Sequence, residues 1–172
     1  MRVGFGSDTT ASLAGAADTP AERGARVSPE PIEHEVDEAT RAVLAHLEGR
    51  PGGELAQRMQ IEFLKLSAEH SIARMPAEGN RQPAGFVHGG AYCVIAETLG
   101  SVSANIHAGE GRYAVGTDIN ATHTRSITSG WVTAECTAVH LGRSMTVHEI
   151  VCTDDEGRRA STLRITNFIK TR

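Results

Sequence analysis

The stretch Gln82-Pro83-Ala84-Gly85-Phe86-Val87-His88-Gly89-Gly90-Ala91, followed by Glu97, gathers an imidazole, two glycines and a carboxylate around one expected helix start. Pro83 and Gly85 interrupt whatever precedes them, and Ala91 to Leu99 contains neither Pro nor Gly, so a helix is expected to begin near His88. The first amides of a helix have no partner inside it. Those of Gly89 and Gly90 would point out of its positive end, where they can hold a carbonyl oxygen that is gaining charge. Glycine suits this place because a side chain would keep a substrate off the backbone. Read from the sequence alone, the glycine pair is equally compatible with a tight, closely packed turn, and a histidine at a helix entrance can simply cap it.

At about 100° per residue, Ala91, Ile95, Leu99, Val102 and Ile106 fall on one narrow stripe, with Gly90, Cys93, Glu97, Ser101 and Ala104 opposite. A helix apolar on one face and small on the other is expected to be covered on both. Glu97 would then be partly buried, and such a carboxylate needs a partner or a purpose. Pairing with Arg or Lys across an interface is the structural alternative to a chemical role. Ser101 lies one turn further along the same face, close enough to share a water or a substrate atom with Glu97. A small residue on a crowded face can also be there for its size.

The elements that must position these groups can be read along the chain. Residues 1–29 are rich in Ala, Gly, Ser, Thr and Pro and read as a flexible tail. Within residues 30–53, Ile32, Val36, Ala39, Val43 and Leu47 recur at helical spacing among acidic residues, and glycines with Pro51 end the segment. Residues 54–172 form the main domain. Met59 to Leu66 and Ser71 to Met75 read as a hairpin, then comes the long helix, ending at Gly109-Glu110-Gly111. Four strands are expected after it, over Tyr113 to His123, Trp131 to Leu141, Met145 to Thr153 and Arg159 to Ile169. The short turns between them make neighbours antiparallel. Two strands, a helix and four strands give an α+β fold in which the sheet wraps the helix to hide the Ile95 stripe. One sheet has one concave side, so a second copy is expected to cover the Glu97 face, giving at least a dimer with active sites at the interface.

Composition narrows the class. With 172 residues, 40% hydrophobic content and a formal charge of -4, the chain reads as one globular domain without the basic face that nucleic acid requires. It has no apolar run of bilayer length and no signal-peptide core. Cys93, Cys136 and Cys152 stand at unrelated spacings, which fits neither disulfides nor zinc and suits a reducing, cytoplasmic setting. The histidines show no metal-ligand spacing, so no metal is expected.

Gly85 to Cys93 resembles the hotdog-fold thioesterases that hydrolyse aryl- and acyl-CoA with a helix-borne glutamate, a group that includes the PaaI-type enzymes. It is close to the motif of 4-hydroxybenzoyl-CoA thioesterases of the Arthrobacter type. Asp118 to Ser126 and His140 to Ser144 are similar to 1,4-dihydroxy-2-naphthoyl-CoA thioesterases. The resemblance runs from about Met59 to Lys170. It implies a hotdog fold and hydrolysis of an acyl-CoA, aryl groups favoured, with no cofactor beyond the coenzyme A of the substrate. It implies that Glu97 attacks the thioester or takes a proton from water, and that the Gly89 amide, assisted by Gln82, polarises the carbonyl. His88 would position the thioester and its sulfur, and Ser101 a water or the acyl group. By the same resemblance His123, Arg125, Gly142, Arg143 and Ser144 would grip coenzyme A, arginine being suited to phosphate. A homodimer, and beyond it a tetramer, is expected. A non-catalytic acyl-CoA-binding or sensing protein is the alternative, disfavoured by the presence of Glu97. A hotdog hydratase would want a different motif.

Overall fold

The computed structural model describes residues 52–172. The expected tail and the acidic amphipathic helix lie outside the described residues. The chain runs through a short helix α1 (Gly53–Arg58), strands β1 (Glu62–Lys65) and β2 (His70–Pro76), the long helix α2 (Gly89–Ala108), and strands β3 (Arg112–His123), β4 (Trp131–Leu141), β5 (Met145–Thr153) and β6 (Arg159–Thr171). The six strands form one antiparallel sheet in the order β1-β2-β4-β5-β6-β3. Helix α2 lies against β2, β3, β4, β5 and β6, so the sheet wraps it, and the hotdog arrangement is the observed fold.

The helix forms where the apolar spacing requires. Ile95 and Leu99 are fully buried among Met75, Val132, Ile150, Leu163 and Ile165. Gly100 lets the helix touch the sheet, since a Cβ there would overlap the Ile165 methyl. The helix stops at Gly109, which has positive φ and donates its N–H to Asn105 O. Asn105 ties the last turns to β3, donating to Ser101 O and accepting from the Ala114 N–H.

Four expectations change. The turn after β3 does not make β3 and β4 neighbours, because β3 pairs with β6 and is separated from β4 by β5 and β6. The strand expected from Met59 begins only at Glu62, and the residues before it form α1. Gly52 makes α1 possible: it has φ +93, and a Cβ there would come within 2.7 Å of Ala56 Cβ and Thr98 Cγ2. Ala104, expected on the outer face of α2, is fully buried, because the sheet covers more of the helix than a narrow stripe. Glu97, expected to be partly buried, is exposed in the single chain.

One buried group makes the fold sensitive to acid. His148 on β5 is fully enclosed and bonds Ala68 O at 2.9 Å through Nε2, while Nδ1 has no protein partner among the described residues. Burial holds its pKa below the ordinary 6.5, and neighbouring His107 adds to that, with the Ala68 bond and Glu69 opposing. The unfolded chain therefore binds this proton first as pH falls below 6.5, and stability drops with it. Urea midpoints are expected to decline from neutral pH toward pH 5, with the decline shallower in His148→Leu.

Candidate active site

The loop before α2 is built to present His88. Gln82 to Gly85 is a turn with Pro83 at its second position, closed by Gly85 N–H donating to Gln82 O, and Gln82 N–H donates to Phe86 O. Both backbone groups of Gln82 are thus engaged, and its half-buried side chain has no hydrogen bond among the described residues. Asn80 anchors the loop. Its Nδ2 donates to Met59 O at 3.1 Å and to Pro76 O at 2.9 Å, and its carbonyl accepts the His88 N–H at 2.9 Å. No motif pointed to Asn80, whose partners lie up to 21 residues away in sequence. Asn80→Ala leaves the two carbonyls without that donor, which should lower stability by about 2 kcal/mol in urea unfolding and reduce kcat/KM about tenfold.

His88 is the N-cap of α2, with φ -66 and ψ 136, and its Nδ1 accepts the Gly90 N–H at 2.8 Å. Accepting at Nδ1 places the ring proton on Nε2, which can donate outward. This corrects the expectation of two free amides. Gly90 N–H is taken by His88, and Ala91 N–H donates to His88 O. The Gly89 N–H is the one left uncommitted among the described residues, at the positive end of a 20-residue helix.

His123, at the end of β3, lies against Gly89: a Cβ on Gly89 would sit 3.0 Å from His123 Nε2. The imidazole is held by Ser161, 2.9 Å from Nδ1, and by Tyr92, whose ring centroid is 5.2 Å away. The Tyr92 phenol is pushed up to about 12 by burial first, then by Cys152 and Asp154, and stays neutral. Beyond His123, the Arg125 N–H donates to Ala160 O, and Ile127 O accepts the Val87 N–H, so the 124–127 segment runs beside the loop leading into His88. Gln82, His88, Gly89, His123 and Arg125 thus gather at one end of α2.

Glu97 is elsewhere on the same helix. Eight residues from Gly89 correspond to about 12 Å along the axis, too far for one carbonyl carbon to meet both. Its carboxylate faces Gly116 of β3, where a Cβ would lie 3.4 Å from Oε1. Cys93, one turn earlier, has its thiol raised by burial and then by the Glu97 charge. Among the described residues no ion pair engages Glu97. Ser101, the next turn on, donates to Asn167 Oδ1 at 3.2 Å. The turn Gly142-Arg143-Ser144 is at the opposite end of the helix, where His107 Nε2 bonds Gly142 O and Arg112 bonds Arg143 O. A single chain does not bring it to Arg125.

A family model described as the thioesterase superfamily matches residues 84–161. A putative esterase of Deinococcus radiodurans is 43% identical over 141 residues, covering 81% of this chain and 89% of that protein. The proofreading thioesterase EntH of Klebsiella pneumoniae is 41% identical over 123 residues, covering 71% of this chain and 90% of that one. Among solved structures, a thioesterase from Haemophilus influenzae superposes with a TM-score of 0.69 at 32% identity, covering 74% of this chain and 90% of that one.

Proposed function

The chain belongs to the thioesterase superfamily and is a thioester hydrolase, and we propose that it cleaves acyl-CoA, aryl acyl groups favoured, in a site shared by two copies. The observation that carries this reading is the division of labour along α2. An uncommitted Gly89 amide stands at the helix entrance, and an exposed Glu97 without an ion pair among the described residues stands two turns on. Two copies related by a two-fold axis at the level of Cys93, midway between them, would set each Gly89 opposite the partner's Glu97. Gly90 and Cys93 are small enough for such helices to approach. Among the described residues strand β3 pairs only with β6, and its open edge of 12 residues is a template for pairing with a second β3.

In this arrangement the thioester oxygen accepts from Gly89 N–H and from the Gln82 amide. His88 donates through Nε2 near the sulfur. Glu97 of the second copy attacks the carbonyl carbon or takes a proton from the attacking water. Antiparallel β3 pairing would also bring Arg125 of one copy toward Arg143 of the other, supporting charge-assisted contacts to the CoA phosphates, with His123, Gly142 and Ser144 beside them. The aryl preference has its support in the motif resemblance.

The reading is tested by thiol release from benzoyl-CoA, 4-hydroxybenzoyl-CoA and palmitoyl-CoA. The aryl esters are expected to give the higher kcat/KM. Turnover of palmitoyl-CoA alone would overturn the aryl preference, and absence of thiol release from all three would overturn the acyl-CoA assignment.

A further inference from the structure

Strand β6 turns alternate residues toward α2, and in that row Leu163, Ile165 and Ile169 are buried and apolar. Asn167 stands in the same row, fully buried, with Nδ2 lacking any protein partner among the described residues. A buried, half-satisfied amide destabilises a core that Leu would fill without that penalty. Such a breach of the local pattern marks places where function sets the residue.

Its surroundings say which function. Asn167 pairs with Gly116 on the neighbouring strand β3, and a Cβ at Gly116 would lie 3.4 Å from Glu97 Oε1 and 3.8 Å from Asn167 Oδ1. The amide and the carboxylate therefore flank the same glycine. Asn167 Oδ1 also accepts the Ser101 hydroxyl. A helical serine ordinarily turns its hydrogen back to the carbonyl four residues earlier, as Ser103 does to Leu99 O at 3.1 Å. Ser101 gives its hydrogen to Asn167 instead, so the lone pairs of its oxygen are left for other groups.

We propose that Asn167 is a positioning residue that fixes Ser101 as a hydrogen-bond acceptor beside Glu97. The inference rests on the reading of Glu97 and Ser101 as parts of the hydrolytic site. A water between them then donates one hydrogen to Ser101 Oγ and one to the Glu97 carboxylate, and its oxygen lone pair faces the thioester carbon. As the C–O bond forms, the second hydrogen passes to Glu97. Collapse of the tetrahedral adduct breaks the C–S bond, and the departing thiolate takes that proton, leaving the free acid and the thiol.

The test is a double-mutant cycle on benzoyl-CoA hydrolysis with wild type, Asn167→Leu, Ser101→Ala and the double variant, each also melted thermally. Asn167→Leu should lower kcat about tenfold with KM within about twofold, and its Tm should equal or exceed that of wild type. In the Ser101→Ala background the same change should move kcat by less than about twofold. An Asn167→Leu enzyme with wild-type kcat, or an undiminished loss in the Ser101→Ala background, would overturn the proposal. If Asn167→Leu does not fold, Asn167→Thr, whose shorter side chain withdraws from Ser101, supplies the same readout. A fully active Glu97→Gln enzyme would remove the premise, whereas neutral Asn167 variants beside an inactive Glu97→Gln would sink this inference alone.

Discussion

Glu97→Gln is expected to lower kcat for aryl-CoA hydrolysis about 10³-fold, with KM little changed and an unaltered thermal midpoint. The substitution keeps size and polarity and removes the charge that, in the proposed reaction, attacks the carbonyl or accepts a proton. No ion pair among the described residues depends on that charge, and the side chain is exposed in the single chain, so little stability is at stake. A structural role predicts the reverse, a lower midpoint with turnover retained. Nucleophilic and general-base routes both predict the loss. They part on single turnover with hydroxylamine, which traps an acyl anhydride on Glu97 in the first route and finds none in the second.

Gly89→Pro is expected to lower kcat by about 10²- to 10³-fold while leaving the fold intact. Proline is well tolerated at the first position of a helix, where its missing N–H has no helical partner to lose. The residue before it must be extended, and His88 already is, with φ -66 and ψ 136. What disappears is the amide at the helix entrance that has no partner among the described residues. Gly89→Ala is the control. It brings the same Cβ to 3.0 Å from His123 Nε2, asking that ring to shift by a few tenths of an ångström, but it keeps the N–H. Alanine within about tenfold of wild type, with proline far below it, assigns the loss to the donor. Equal losses for both would assign it to the displaced histidine instead.

The fold was legible where the pattern is periodic or punctuated. Helix α2 has a Pro–Gly break before it, a glycine after it and an apolar repeat between, and the four strands after it are separated by turn formers. Helix α1 was not legible, because Gly52 and Gly53 read as a break. The packing of Gly52 under Thr98, which holds α1 against the domain, is a tertiary fact. Ala104 falls opposite the apolar stripe yet is buried, because a stripe drawn at helical period takes no account of how far a curved sheet reaches around its helix. In the site, the types and spacing of His88, Gly89 and Glu97 are what point to the proposed chemistry. The division between the amides of Gly89 and Gly90 did not appear, since histidine is an uncommon cap and the bond from Gly90 to its ring is visible only in coordinates. Asn80 and Asn167 left no trace either. Each is a single polar residue whose partners are contributed by distant segments.

In the proposed enzyme, one active site is assembled from the Gly89 end of one copy and the Glu97 of another. Glu97→Gln and Gly89→Pro chains, each inactive alone, can be mixed and allowed to exchange subunits. Every mixed dimer then holds one site with both groups intact and one with neither, so a random equal mixture should recover about a quarter of wild-type turnover. A mixture no more active than its two parents would contradict the shared site.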